Sequence, residues 1–202
     1  MSIMPEIEFL LIPYSCSFKG KPITMKKYMI ITLGTGQGVE HGLTKSIVVN
    51  RPDNIIFIAT KESVEQDMPQ KISQVMRTHF KRDLPEYRIK LVDDPQNVEK
   101  VFQVVYEAIG TAQQGGAARE DIYLDFTSGT KAMSVGAALA AYLNKCRTMV
   151  YIGGSERDPK TGRVISGTEV VMTFTLRDVF ENYRTEVVTE TVFQEKPREV
   201  NR

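Results

Sequence analysis

The stretch Asp125 to Met133, DFTSGTKAM, gathers groups that bind phosphate. An apolar run ends in an acid, Asp125, and hydroxyls follow at Thr127, Ser128 and Thr130. Gly129 lets a backbone approach a ligand without Cβ interference, and Lys131 adds a mobile point charge. A second such stretch is GTGQG, residues 34 to 38, directly after the apolar run YMIITL. There Gly34, Gly36 and Gly38 open the backbone, and Thr35 and Gln37 add polar side chains. Each stretch precedes a helical pattern, so each presents unpaired backbone N–H groups at the positive end of a helix dipole. The same residue types also make helix caps and tight turns, so neither loop identifies a ligand by itself.

The elements around these loops read as alternating strands and helices. Tyr28 to Leu33, Asn54 to Ala59, Tyr87 to Val92, Ile122 to Phe126 and Thr148 to Ile152 are short apolar or alternating runs, the signature of strands. Between them lie helical patterns: one from Val39 with Leu43 and Ile47, and one entered through Asp67-Met68-Pro69 with Ile72, Val75 and Met76. A third is opened by Asp94-Pro95 and carries Val98, Val101, Phe102, Val105 and Ile109; a fourth runs from Thr130 to Asn144. Thr168 to Phe174 is expected to return as a hairpin partner after the polar turn ERDPKTGR. Such alternation predicts an α/β fold, a Rossmann-like doubly wound sheet that is mostly parallel and closed by a C-terminal β-hairpin. With strand order 3-2-1-4-5, the first and fourth strands are neighbours at the point where the order reverses, where ligands of such sheets bind. Both unusual loops then fall on one crevice.

The predicted domain spans residues 26 to 175. Residues 1 to 25 read as an N-terminal extension, since Met25 begins MKKYMIITLGTG, which resembles a natural domain start. Residues 176 to 202 read as a charged segment or linker with a possible short helix (Leu176 to Tyr183) and strand (Glu186 to Phe193), expected to lead to a further domain outside this chain. With 26 basic and 25 acidic residues among 202, the net charge is +1, which argues against a broad surface for duplex nucleic acid. Two cysteines without CxxC spacing, Cys16 and Cys146, and two histidines, His41 and His79, predict neither a disulfide framework nor a metal centre and fit a reducing cytoplasm. No run approaches the roughly 18 consecutive apolar residues of a membrane span, and the start lacks the basic leader of a signal peptide. No metal and no cofactor are expected.

Several phosphate ligands compete. GTGQG is not G-x-G-x-x-G, and the second strand ends Ala59-Thr60-Lys61 with no acid for a ribose diol, so a nicotinamide dinucleotide fits poorly. GTKAM lacks the hydroxyl that follows lysine in a Walker A loop. A phosphoribosyl-diphosphate loop fits better, but its second acid is missing beside Asp125.

LGTGQG after the first strand, with DFTSGTKAM after the fourth, resembles the CARF domain, the CRISPR-associated Rossmann fold, and YIGGSERDPKTGRVISGTE resembles the hairpin that closes such domains. The resemblance covers residues 26 to 175 and implies a homodimeric sensor of cyclic oligoadenylates, with cyclic tetra-adenylate the favoured ring, in type III CRISPR antiviral defence. It implies that ligand lies across the dimer two-fold. One wall would carry Gly34, Thr35, Gly36 and Gln37, and the other Thr127, Ser128, Gly129, Thr130 and Lys131, with Ser63 in the loop after the second strand as a further contact. An effector, often a ribonuclease with an R-x-x-x-x-x-H string, would be controlled by that binding; no such string stands at Arg77-Thr78-His79 or after Leu176. Some members of the family cleave the ring by attack of a ribose 2′-hydroxyl without metal, and Lys131 and Thr35 would then be the catalytic residues. Asp125 is expected to anchor its loop through backbone N–H groups, and His41 to be a surface or capping residue.

Overall fold

The computed structural model describes residues 26–175 except 147, 163 and 166, together with residues 177 and 179. The segment expectations for 1–25, and for nearly all of 176–202, lie outside the described residues.

Six strands form one sheet in the order β3-β2-β1-β4-β5-β6. They are β1 (Tyr28–Leu33), β2 (Asn54–Ala59), β3 (Glu86–Leu91), β4 (Ile122–Asp125), β5 (Thr148–Gly154) and β6 (Glu169–Thr175). The first five are parallel, and β6 pairs antiparallel with β5. The α/β, mostly parallel, doubly wound architecture with a terminal hairpin is therefore the one the alternation of elements predicts.

β1 and β2 are continuous apolar runs because both of their faces are covered. Ile30, Ile56, Ile58 and Leu124 point to one face, where they meet Val101, Val105 and Ile109 of α4 (Val98–Gln114) and Met133 and Ala137 of α5 (Lys131–Leu143). Met29, Ile31, Leu33, Ile55 and Phe57 point to the other face, against Leu43 and Ile47 of α1 (Val39–Asn50) and Ile72 of α3 (Met68–Val75). Period-two side-chain alternation thus feeds two separate cores from the same strands. The small residues of α5 serve packing inside the subunit: Ala137, Ala140 and Ala141 are buried, and a Cβ on Gly136 would stand 2.8 Å from Val101 Cγ1 and from the Val98 carbonyl.

Local details depart from expectation in four places. A five-residue helix, α2 (Lys61–Glu65), stands where the sequence reads as a loop. It is fixed by a reciprocal capping box: the Thr60 hydroxyl accepts from Ser63 N–H, and Ser63 Oγ accepts from Thr60 N–H. Asn97, not Asp94-Pro95, caps α4, its side-chain oxygen accepting from Glu99 and Lys100 N–H; Asp94 instead accepts from Gln96 N–H in a turn. The chain beyond α3 continues as a π-helical turn, Met76–Phe80. β3 begins one residue earlier than its apolar pattern, since Glu86 pairs with Asn54 on the ladder while Val92 lies past its end.

Candidate functional site

The sheet brings the two glycine-containing loops into direct contact. β1 and β4 are hydrogen-bonded neighbours, so the segments that leave their carboxyl ends emerge side by side. Thr32, completely buried in β1, donates its hydroxyl proton to the Ser128 carbonyl, and Gly34 N–H donates to Ser128 Oγ at 2.9 Å. A Cβ on Gly34 would lie 2.6 Å from Gly129 N, so only glycine allows this approach. Gly129 itself has φ of 100°, the left-handed region that turns the chain into α5.

Asp125 ends β4 in full burial. Its Oδ1 accepts from Thr127 N–H at 3.0 Å and its Oδ2 from Ser46 Oγ at 2.6 Å, the latter donated from α1. Burial pushes this carboxyl above the usual aspartate range, opposed by the hydrogen bonds from Ser46 and Thr127. The acid is the anchor of its loop, as its position suggests, and Ser46 is a partner that nothing in the local sequence announces. The remaining hydroxyls of the loop are also engaged. Thr127 Oγ1 accepts from Ile152 N–H at 2.8 Å, and Thr130 Oγ1 caps α5 by accepting from Met133 N–H at 3.1 Å while donating to the Pro95 carbonyl.

Along this edge runs a cleft of about 690 Å³. Its walls include Gly34, Thr35 and Gly36 from the first loop and Thr127, Ser128, Gly129 and Thr130 from the second. Gln37 and Lys131 are exposed residues next in sequence to these walls, and neither lines the cleft itself. Ser63 is placed differently from expectation. It sits in a helix rather than a loop, fully buried, with its hydroxyl donating to the Thr60 carbonyl at 2.9 Å. The cleft also has a wall that the motifs do not name: Thr60, Lys61 and Glu62 after β2, and Leu91, Val92, Asp93, Pro95 and Gln96 after β3. Topology alone could have found them, because every parallel strand delivers its carboxyl end to the same edge.

The two histidines meet away from the cleft wall, with ring centroids 5.8 Å apart, and His41 Nε2 lies 3.9 Å from Glu40. Among the described residues no group of three or more His, Cys, Asp or Glu could hold a metal ion, and no helix is long and apolar enough to cross a membrane.

No family model and no curated protein matches the chain. Solved structures with a similar course include Can2 from Sulfobacillus thermosulfidooxidans in complex with cyclic tetra-adenylate (18% identity, 70% of this chain and 37% of that one, TM-score 0.47). Others are protein VC1899 from Vibrio cholerae (13% identity, 61% and 30%, TM-score 0.46) and Enterococcus italicus Csm6 bound to cyclic hexa-2′-fluoro-hexa-dAMP (15% identity, 84% and 39%, TM-score 0.47). This chain thus spans well under half the length of each.

Proposed function

We propose that this chain is a CARF-type sensor that binds a cyclic oligoadenylate, cyclic tetra-adenylate in the first instance, at the cleft between the loops after β1 and β4. The observation that carries the reading is the meeting of the two motif loops: Gly34 N–H bonded to Ser128 Oγ, with the backbone of residues 34–36 and the N-terminus of α5 facing one cavity. A cavity of this size suits a drug-sized ligand, hence part of a four-nucleotide ring. Two copies of the chain about a two-fold axis would offer two such cavities to a ring of matching symmetry. Splayed bases and 2′-hydroxyls call for short polar groups instead of a wide basic surface, in keeping with a net charge of +1. In this reading the homodimer passes the bound state to an effector outside this chain.

The first test is thermal unfolding with cyclic tetra-adenylate, cyclic hexa-adenylate and NAD. A ligand at about a thousand times its dissociation constant adds roughly 4 kcal/mol and raises the midpoint by several degrees. A rise with one ring identifies the messenger; no rise with either ring refutes the reading. Lys131→Ala is expected to weaken ring binding by about 1.5–3 kcal/mol, the worth of a charge-assisted hydrogen bond, without lowering the midpoint of the free protein. Affinity equal to the parent would remove Lys131 from the site.

A ring nuclease would use the same cleft, with Thr35 and Lys131 stabilising charge on the phosphoryl oxygens as a 2′-hydroxyl attacks. Analysis of the ring after prolonged incubation separates binding from cleavage. The transferase alternative is weakened by Asp125, whose carboxyl faces Ser46 and Thr127 inside the protein.

A further inference from the structure

The cleft has two unlike walls. One consists of the glycine loop after β1 and the start of α5, where backbone N–H groups favour anions. The other carries two carboxylates, Glu62 and Asp93, together with Leu91 and Gln96. Lys61 on that side is one cation against these two carboxylates, and it also stands 3.7 Å from Glu65, so the wall keeps a net negative charge. A phosphodiester is repelled by Glu62 and Asp93, so a polyanionic ring cannot lie evenly across both walls. Its phosphates belong to the first wall, and what reaches the second must be neutral and rich in donors. Leu91 is 54% exposed at the end of the edge strand and offers an apolar surface there. The Gln96 amide carries both a donor and an acceptor, the complement of the N6/N7 edge of adenine.

The segment that bears these residues is held in place. Val92 N–H donates to the Ala59 carbonyl at 2.9 Å, Gln96 N–H to Asp94 Oδ1 at 3.1 Å, and Thr130 Oγ1 to the Pro95 carbonyl. The last bond ties the wall after β3 to the helix N-terminus of the phosphate-binding wall, so the distance between phosphate and base subsites is set by the fold.

We propose that the segment after β3 is an adenine subsite, in which a base packs on Leu91 and is read at its N6/N7 edge by Gln96, while Glu62 and Asp93 keep phosphates to the opposite wall. This rests on the cyclic oligoadenylate reading and adds the residue that reads the base. The test is calorimetric titration of the full chain with cyclic tetra-adenylate, cyclic hexa-adenylate and the corresponding rings of purine riboside, which lack only the N6 amine. The parent is expected to bind the adenylate ring roughly tenfold more tightly than its purine-riboside counterpart, the scale of a lost hydrogen bond to a site that then keeps an unpaired group. Gln96→Ala is expected to weaken both rings, which share the N7 contact, but to weaken the adenylate ring more and so erase the preference, a non-additive cycle between variant and ligand. Gln96→Glu, an acceptor-only group facing N7, should weaken the adenylate ring further. A parent that binds the adenylate ring without preference, or a Gln96→Ala variant that keeps the preference, overturns the subsite and leaves the messenger reading standing. A parent that binds none of the rings overturns both.

Discussion

In the loop after β4, hydroxyls are committed to the protein itself: Thr127 accepts from Ile152 N–H, Ser128 accepts from Gly34 N–H, and Thr130 caps α5. In the loop after β1 the arrangement is the reverse. Gly38, with φ of 82°, precedes helix α1 and supplies no side-chain cap, and the Thr35 hydroxyl donates to Glu62 at 3.5 Å. The two loops use similar residue types for opposite ends. The second is a scaffold that fixes the position of the first through the Gly34–Ser128 bond, and the first is the wall that the proposed function assigns to the ligand. Hydroxyls that look like ligand contacts in the sequence can therefore act one step away, by holding the glycine loop in place.

That division of labour is easiest to break at the glycines. Gly34 and Gly36 stand two residues apart, yet a Cβ on Gly34 meets Gly129 backbone at 2.6 Å, whereas one on Gly36 meets only Val39 Cγ2 at 3.3 Å. Gly34→Ala must push two strand ends apart, at a cost of about 3 kcal/mol or more. Gly36→Ala should unfold within about 0.5 kcal/mol of the parent and show its effect in ring affinity, through the crowded backbone. Urea unfolding of both variants measures the contrast. Equal stabilities would mean that the loops do not touch as described.

Next in size is Ser128→Ala. It removes the acceptor for Gly34 N–H and is expected to cost about 1–2 kcal/mol, lowering the unfolding midpoint by several degrees. If Ser128 were mainly a ligand contact, the free protein would keep its midpoint and only the ligand-induced rise would shrink.

The comparison of loops also explains what was legible in the sequence. β2 and the start of α1 coincide with their apolar patterns, because a strand buried on both faces is built mostly of apolar residues and a helix face repeats over several turns. The placement of both loops on one edge followed from strand order, a property of topology and not of any single residue. α2 escaped because five residues are too few for a period, although its capping pair Thr60 and Ser63 is written in the sequence three residues apart. The acidic wall escaped for a different reason. Glu62 and Asp93 lie far apart in sequence, and only the parallel pairing of β2 with β3 brings the segments that carry them to the same cleft. The partnership of Ser46 with Asp125 spans 79 residues and has no local signature at all.

Asp125 offers the finest test of the scaffold reading. Its folded carboxyl titrates above its unfolded value because burial disfavours the charged form. The folded state therefore binds the proton more tightly than the unfolded state, and this group contributes most stability below the unfolded pKa, near 3.9. That contribution is lost as pH rises through the folded pKa, since ionisation then puts a charge into the interior. Asp125→Asn keeps an acceptor for Thr127 N–H and an amide that can bond to Ser46, and it has nothing to ionise. Midpoints for parent and variant across pH 4 to 8 should move relative to one another in one direction, the parent losing ground as pH rises. A constant gap would place the titration of Asp125 outside that window, and a parent gaining ground would mean that the Ser46 and Thr127 hydrogen bonds outweigh burial. In that last case the carboxylate itself, as an anion, would be what ties the loop after β4 to helix α1 through Ser46.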